Sequence, residues 1–270
     1  MNILTFDIED WFHTHENRQR YSGHIWTELP SKVIDNTRLI LDMLERHQRK
    51  ATFFILGWVA KYYPSLVKEI LEKGHEIGSH SFWHHNPHLI KLSDFEKDLK
   101  LSLDILQDIA GEKVVAYRAP GFNLALKDSE AFDILVANGI TIDSSIKLKN
   151  KSVNEPFFIT TKKGEILEFP QLTGPLGLPF SGGGFFRAYP QKLLDYLYSK
   201  TDYHLLYFHP RDFDRDYPSS NLFSFHRNMM NAVNTATCQK RLENFFAGNK
   251  TLSIFEAAEV FEKHKNIHRG

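Results

Sequence analysis

The sequence predicts an α/β fold in which a parallel sheet closes, or nearly closes, into a barrel with helices on the outside. Three observations support this prediction. Short β-rich apolar runs alternate with amphipathic helical segments through the first half of the chain. No glycine-rich dinucleotide loop follows the first strand, which favours a barrel over an open nucleotide-binding sheet. A length of 270 residues, 42% of them hydrophobic, is sufficient for a single domain spanning residues 1–270.

The first half of the chain contains alternating predicted strands and helices. The strands are the runs ILTF, ATFFIL, HEIGSH, VVAYRAP and ITIDSS. Between them, apolar residues spaced three and four apart indicate helices at residues 31–47, within VAKYYPSLVKEILEKG, at 93–109 and near 129–138. Ser31 is placed to cap the first helix, and Gly74 to end the second.

The alternation breaks at about residues 150–190, which we interpret as an insertion. FFITTKKGEILEFP is typical of a β-hairpin with its turn at residues 162–164. The glycine- and proline-rich run TGPLGLPFSGGGFFRAYP indicates a loop that lies over another part of the protein. After it, HLLYFHP predicts a strand, SNLFSFHRNMMNAVNTATCQKRLENFF a long helix, and TLSIF a last strand before a terminal helix.

Net charge and cysteine content exclude several functions. Lys plus Arg and Asp plus Glu each total 33, so no global positive field attracts nucleic acid. Cys238 is the only cysteine, which excludes an internal disulfide and a cysteine-based zinc site. The chain has no apolar run long enough for a transmembrane segment, although peripheral membrane association stays open. The first residues lack the pattern of a secretory signal, and we therefore expect a cytoplasmic location.

Acidic and histidine residues follow two of the predicted strands. Asp7, Glu9 and Asp10 come directly after ILTF, and such crowded carboxylates repel one another unless a cation or proton lies nearby. His80 and His84 follow HEIGSH at a spacing of four, which would place both imidazoles on one face of a helical turn. Two imidazoles and one carboxylate leave positions on a zinc-type ion open for water and substrate. The pattern predicts a catalytic metal site.

Three other strand ends carry polar residues that a hydrolytic site needs. They are Arg118 in AYRAPGF, Asp143 in TIDSS and His209 in YFHPRDF. Each also has a structural interpretation, as a surface arginine, a helix cap and a solvent-facing histidine. Together they supply a base, a proton donor and orienting partners at one end of a parallel sheet.

In the order of these motifs, the chain resembles the polysaccharide deacetylases of carbohydrate esterase family 4, the NodB homology group. TFDIED, HSFWH, RAPGF, IDSS and YFHP correspond in order to the five motifs of that family. The resemblance runs from residue 1 to about 210 and implies a distorted, seven-stranded (β/α) barrel. EFPQLTGPLGLPFSGGGFFR, HPRDF and the terminal helix are similar to the subgroup associated with bacterial exopolysaccharide and surface-polysaccharide loci.

The resemblance implies a role for each motif residue. Asp7 corresponds to the general base, His209 to the general acid, and His80 and His84 to metal ligands, while Arg118 and Asp143 correspond to an orienting pair. The first motif departs from the family, because Asp7-Ile8-Glu9-Asp10 stands where two adjacent aspartates are usual. The carboxylate ligand is therefore Glu9 or Asp10, and strand alternation favours Glu9 because it points the same way as Asp7.

The implied reaction is metal-dependent removal of the N-acetyl group from a sugar. The expected ion is zinc, with cobalt, nickel, manganese and iron as alternatives. Trp83 and Pro120 flank the motifs as candidate sugar contacts, and Arg187 with Gly183 and Gly184 as candidate binders of a phosphate or carboxylate. With a cytoplasmic location, that anion suggests a nucleotide-linked or lipid-linked sugar precursor. A tight glycine turn beside a surface arginine is the structural alternative for the last group.

Two other functions fit the same motifs. One is a deformylase or cyclic-imide hydrolase on this scaffold, which metal content and substrate profile would distinguish. The other is a catalytically silent carbohydrate-binding protein, against which the intact Asp7, His80, His84 and His209 argue. The sequence leaves the sugar and the oligomeric state open, including a homo-oligomer.

Overall fold

The computed structural model describes residues 1–13, 25–148, 155–174, 180–216 and 225–267. The strands in these ranges are β1 (Asn2–Ile8), β2 (Thr52–Ile55), β3 (Glu76–Ser79), β4 (Ala116–Tyr117), β5 (Ile142–Asp143), β6 (Lys147–Leu148), β7 (Phe157–Thr161), β8 (Gly164–Glu168), β9 (Gln171–Leu172) and β10 (His204–Phe208). The α-helices are α1 (Val33–Arg46), α2 (Gly57–Tyr62), α3 (Pro64–Glu72), α4 (Leu92–Ala110), α5 (Ser129–Ala137), α6 (Gly183–Ala188), α7 (Gln191–Tyr198), α8 (Phe225–Ala232), α9 (Thr235–Gly248) and α10 (Ile254–Ile267).

A curled eight-stranded sheet forms the centre, in the order β10-β1-β2-β3-β4-β5-β8-β7. All neighbours are parallel except β7 and β8, which form the predicted antiparallel hairpin. The predicted α/β barrel-type fold is confirmed. The sheet is a half-barrel with β10 and β7 at its two edges, and it has eight strands rather than seven because β7 adds an antiparallel strand to seven parallel ones.

Buried aromatic and aliphatic side chains fill the space between the sheet and its helices. Phe6 on the central strand β1 packs against Phe53 on β2 and Phe208 on β10, with ring centroids 5.1 and 6.0 Å apart. On α1, Val33, Ile40 and Leu44 are all buried, at the helical spacing that the sequence indicated. Burial of both sheet faces explains why the strands read as continuous apolar runs.

Three predicted elements differ from the structure. The second predicted helix is two helices, because Pro64 lacks the N–H that would continue α2 and instead starts α3. The long helix after β10 is interrupted at Asn234, which has a φ of +54°, and residues 220–224 of that prediction lie outside the described residues. TLSIF is not a strand: Leu252 makes a single bridge to Ile3, and α10 begins two residues later.

The glycine-rich part of the insertion is also helical rather than a loop. Residues 175–179 lie outside the described residues, but GGFFRA forms α6, which packs against β10 and α9. Gly182 bridges to Tyr207, so this segment is held against the sheet edge. Within the described ranges, no helix is both long enough and apolar enough to cross a membrane.

Candidate active site

A cleft of about 240 Å³ opens at the carboxyl ends of the parallel strands, where such folds position their chemistry. It lies among the loops that follow β1, β3, β4, β5 and β10. The residues that line it are Asp7, Glu9, His80, His84, Gly121, Phe122, Lys147, Tyr207, His209 and Arg211. Five of the predicted site residues therefore face one space, although they come from distant parts of the sequence.

Glu9, His80 and His84 form a buried group that fits a metal ion. One donor atom from each lies within 4.8 Å of the others, and Glu9 Oε2 is 2.6 Å from His84 Nε2. His80 Nδ1 lies 2.9 Å from the Arg118 carbonyl oxygen, so this nitrogen carries the proton and Nε2 keeps its lone pair. Burial lowers the pKa of His80 to about 4, which keeps its ring neutral as a metal ligand requires.

The carboxylate of Glu9 is ionised despite its burial. Burial alone would raise its pKa, but the adjacent His84 and the Arg211 guanidinium hold the pKa well below its usual value. Arg211 Nη1 donates to Glu9 Oε1. The Glu9 N–H donates to the Asp7 carbonyl at 3.1 Å, so the chain turns sharply after β1 and returns Glu9 to the side of Asp7.

The histidine loop, residues 80–85, is not the helical turn that the spacing of four suggested. Ser81 and His84 both have positive φ angles, of 62° and 58°, which a helix does not allow. Asp98 on α4 holds this loop by accepting hydrogen bonds from the N–H groups of Phe82 and Trp83, at 2.7 and 2.9 Å. Sequence reasoning missed Asp98, because nothing in its helix marks it as a partner of the loop.

Asp10 is not part of the metal group, so its prediction as an alternative ligand is wrong. Its carboxylate accepts hydrogen bonds from Ser31 Oγ at 2.6 Å and from the N–H groups of Lys32 and Val33 at 3.0 and 3.2 Å. It thus satisfies free N–H groups at the start of α1. Ser31, which was expected to cap this helix, instead donates to Asp10.

Asp7 is paired with the buried Arg118. Arg118 Nη1 is 2.6 Å from Asp7 Oδ1 and 2.8 Å from Thr5 Oγ1, and its guanidinium carbon lies 4.1 Å from the centre of the Phe54 ring. Burial alone would raise the pKa of Asp7. The charge of Arg118, with smaller contributions from neighbouring histidines, outweighs burial, so the pKa of Asp7 is lowered. Asp7 is therefore an oriented, ionised carboxylate.

Asp143, which the family resemblance implies to orient the other site residues together with Arg118, makes its own hydrogen bonds to other partners. Asp143 Oδ1 accepts a hydrogen bond from Ser145 Oγ at 2.6 Å, and its other partner is Glu168 on the neighbouring strand β8. The next residue, Ser144, supports the arginine instead, with its Oγ 2.9 Å from Arg118 Nη2. The side chain that supports Arg118 at this strand end is thus Ser144, one residue after Asp143, and the orienting role of Asp143 stays a prediction.

His209 faces the cleft and is supported from behind by Asp212. Its Nε2 lies 3.5 Å from Glu9 Oε1 and 3.9 Å from Asp7 Oδ2. Asp212 Oδ2 accepts a hydrogen bond from the His209 backbone N–H at 2.8 Å and lies 3.4 Å from Nδ1 of the His209 ring. The prediction had no role for Asp212, although its spacing of three from His209 is the signal that would have found it.

The predicted substrate contacts lie mostly outside the cleft. Arg187 is buried and bonded to Asp212, so its predicted binding of a substrate anion is wrong; Gly183 packs on the same carboxylate, while Gly184 is exposed. Trp83 packs on Phe82 and Trp26 and does not line the cleft. Pro120 is buried and begins a short 3₁₀ turn, and the two residues after it do line the cleft. The basic residues in the lining are Arg211 and Lys147.

Two family models match the chain in succession. Residues 25–141 match the model of the polysaccharide deacetylase family. Residues 145–259 match a model described as a domain of unknown function, DUF3473. The metal group and Asp7 lie in or before the first region, whereas His209 and Asp212 lie in the second. The cleft therefore combines residues from both.

Curated relatives are similar to part of the chain. Peptidoglycan-N-acetylmuramic acid deacetylase PdaC of Bacillus subtilis is 37% identical over 102 residues, which is 36% of this chain and 21% of that protein. A peptidoglycan-N-acetylglucosamine deacetylase of Bacillus cereus is 36% identical over 87 residues, which is 32% of each protein. The similarity thus spans about a fifth to a third of the relatives' length.

Solved structures share the fold along nearly the whole chain. A Mycobacterium smegmatis structure, described as a candidate polysaccharide deacetylase, has a TM-score of 0.66 at 18% identity and covers 97% of this chain and 90% of that one. The B. subtilis PdaC structure has a TM-score of 0.54 at 16% identity, covering 100% and 96%. A family 4 pseudoenzyme from Bacillus anthracis has a TM-score of 0.53 at 15% identity, covering 95% and 64%. At these identities the likeness concerns the fold.

Proposed function

We propose that this chain is a metal-dependent hydrolase of the carbohydrate esterase family 4 type that removes the N-acetyl group from a sugar. The match of residues 25–141 to the polysaccharide deacetylase model and the similarity to peptidoglycan deacetylases support this proposal. The observation that carries this proposal is one cleft in which a group suited to a metal ion, Glu9, His80 and His84, lies beside Asp7 and His209. An amide hydrolase needs all three functions: an electrophile, a base and an acid.

The donor set is that of a catalytic rather than a structural metal site. One carboxylate and two imidazoles suit zinc, with cobalt, nickel, manganese and iron as alternatives, and leave positions for water and substrate. When bound there, a divalent ion supplies Lewis-acid polarisation of the acetyl carbonyl and lowers the pKa of bound water.

The protein's own residues then handle the protons. Asp7, ionised and oriented by Arg118, accepts a proton from the attacking water. His209 faces the same space from the β10 side and donates a proton to the leaving nitrogen. The bond between the acetyl carbon and nitrogen breaks, and the products are acetate and an amino sugar.

We propose further that the substrate belongs to bacterial surface-polysaccharide biosynthesis. The relatives act on peptidoglycan sugars by name, which supports an N-acetylated sugar. Arg211 and Lys147 add positive charge to the cleft lining, which fits a sugar carrying a phosphate or carboxylate, as a nucleotide-linked or lipid-linked precursor does. A cytoplasmic location and peripheral membrane association stay predictions, tested by cell fractionation.

The test combines metal analysis with acetate release. Protein purified without chelators is expected to contain about one divalent ion per chain, to release acetate from N-acetylated sugars, and to lose activity on chelation. Restoration by zinc or cobalt would support the proposal. Full activity of metal-free protein would favour the deformylase or imide-hydrolase alternative, and sugar binding without turnover of any substrate would favour a silent binding protein.

A further inference from the structure

A buried chain of contacts runs from α6 to the back of the candidate general acid. Asp212 lies between Arg187 and His209, and its two carboxylate oxygens face different partners. We propose that Arg187 is a positioning residue for His209: together with Gly183 it fixes the Asp212 carboxylate that orients the imidazole. This inference rests on the proposed function, because it takes His209 as the proton donor.

The carboxylate of Asp212 is held from both sides. Oδ1 accepts from Arg187 Nε at 3.1 Å and lies 3.0 Å from Nη2, so two guanidinium nitrogens converge on this one oxygen. Oδ2 accepts the His209 backbone N–H at 2.8 Å and lies 3.4 Å from Nδ1 of its ring. Each oxygen therefore has its own partner, and together the two partners fix the carboxylate between α6 and the His209 loop.

Arg187 is itself anchored and has no access to substrate. It is 3% exposed, and its Nη1 donates to the Val233 carbonyl. Its own carbonyl accepts from Asn234 Nδ2 at 2.9 Å and from Arg241 Nη1 at 2.7 Å. The start of α9 therefore determines the position of the guanidinium, which in turn determines the position of Asp212.

Gly183 provides the space in which this carboxylate sits. A Cβ at position 183 would lie 2.1 Å from Asp212 Oδ2, far inside van der Waals contact. A Cβ at the adjacent Gly184 would meet no atom within 4 Å. Gly183 and Arg187 of SGGGFFR therefore act together. Gly183 leaves room for the Asp212 carboxylate, and Arg187 holds the carboxylate there.

The charges explain why this arrangement orients the ring. Burial raises the pKa of Asp212, but its hydrogen bond to His209 and the Arg187 charge lower it far below its usual value. A carboxylate accepts hydrogen bonds, so the position of Asp212 Oδ2 beside the ring favours the His209 tautomer with its proton on Nδ1. His209 Nε2 is then directed into the cleft, towards Asp7 and Glu9.

A matched pair of glycine variants provides the first test. Gly183→Ala is expected to lower kcat on the order of 10²-fold with KM near wild type, because a misplaced catalytic group costs rate rather than binding. Gly184→Ala, the control, is expected to stay within about twofold. Arg187→Lys should recover part of the rate lost in Arg187→Met. Equal rates for the two glycine variants would overturn the inference.

A double-mutant cycle separates positioning from general stability. In a His209→Ala background, Asp212→Asn and Arg187→Met should cost no further kcat, because the residue through which they act is absent. A loss of the same size in both backgrounds would show a merely structural role. If Arg187→Met does not fold because it leaves a buried charge, the charge-neutral Arg187→Met/Asp212→Asn variant takes its place.

A spectroscopic measurement keeps the inference distinct from the proposed function. The ¹⁵N shifts of the His209 ring, identified by their loss in His209→Ala, should indicate protonated Nδ1 in the wild type at one fixed pH. They should change in Gly183→Ala and Asp212→Asn but not in Gly184→Ala. Failure of wild-type protein to release acetate while this pattern holds would reject the activity alone. An unchanged ring in Gly183→Ala would reject the positioning.

Discussion

The three carboxylates at the end of β1 and just after it occupy three different environments, although they lie within four residues. Asp7 is paired with Arg118, Glu9 with His84 and Arg211, and Asp10 with the N–H groups at the start of α1. Hydrogen-bond partners, rather than residue type, therefore determine what each carboxylate can do. On our proposal, the crowding in the sequence reflects one proton acceptor, one metal ligand and one helix cap.

Asp7→Asn and His209→Ala test the two proton-transfer roles. Each variant should retain its fold and bound metal while kcat falls about 10²–10⁴-fold, the usual cost of removing a general base or acid. Acetate release, metal content and circular dichroism measured on the same samples check this. A wild-type rate in either variant would remove that residue from the mechanism.

Glu9→Ala and Asp10→Ala distinguish the ligand from the cap. Glu9→Ala should lose bound metal, since it removes one of three donors. Asp10→Ala should keep the metal but lower the free energy of unfolding by about 1–2 kcal/mol, because N–H groups of α1 lose their acceptor. Metal content and urea unfolding give the two readouts. Loss of metal only in Asp10→Ala would contradict the structure.

The cleft position of a residue was predictable from sequence where the residue belongs to a motif at a strand end. It was not predictable where the residue is held by a contact with a distant part of the chain. Asp7, Glu9, His80, His84 and His209 all face the cleft, as predicted from strand ends. Arg187 instead pairs with Asp212, 25 residues further along the chain. No local pattern encodes that contact, and so the arginine was interpreted as a binder of anions.

Among the elements, the histidine loop depends on α4 for its shape. Its positive φ angles at Ser81 and His84 cost free energy, and the two hydrogen bonds to Asp98 offset that cost. A helix thus positions the proposed metal ligands of a loop, as supporting partners of a metal site commonly do.

Asp98→Ala is expected to weaken metal binding about 10–100-fold, because the loop loses the acceptor that fixes its backbone. Asp104→Ala, on the exposed face of the same helix, is the control and should bind metal as the wild type does. Competition with a metal-sensitive dye measures both affinities. Equal affinities in the two variants would mean that the loop keeps its shape without Asp98.

The type and place of an element were predictable where periodicity and length agreed. Interruptions within a predicted helix were not recognised from the pattern. The β7–β8 hairpin and the helices α1, α4 and α5 lie where the pattern placed them. The spacing of His80 and His84 fits both a helical turn and this loop, since periodicity over five residues cannot separate them. The break at Pro64 could have been predicted from proline's missing N–H, but the break at Asn234 depends on packing.

At the scale of the whole molecule, the two regions matched by family models share one sheet. β10, from the second region, pairs with β1, and β8 pairs with β5. Asp7 and His209 therefore approach each other only when the sheet is assembled from both. This supports our proposal that residues 1–270 act as a single domain.

The sheet also contains a buried pair of carboxyl groups, Asp143 and Glu168, at the β5–β8 junction. Both are fully buried. Burial raises the pKa of Glu168 well above its usual value, and the charge of Asp143 raises it further. The pKa of Asp143 is also raised, chiefly by burial. One proton shared between the two groups is thus part of the folded state.

This proton makes stability depend on pH in a defined direction. Glu168 is protonated in the folded state and ionised in the unfolded chain above its ordinary pKa of about 4.3, so folding takes up a proton. The contribution is fully present below that pKa and is lost as pH rises towards the folded-state pKa. Glu168→Gln cannot ionise, so its free energy of unfolding relative to wild type should increase steadily above pH 5. Urea unfolding at several pH values measures this, with the exposed Glu165→Gln on the same strand as control. If the Glu168→Gln and wild-type curves stay parallel, the buried pair carries no shared proton.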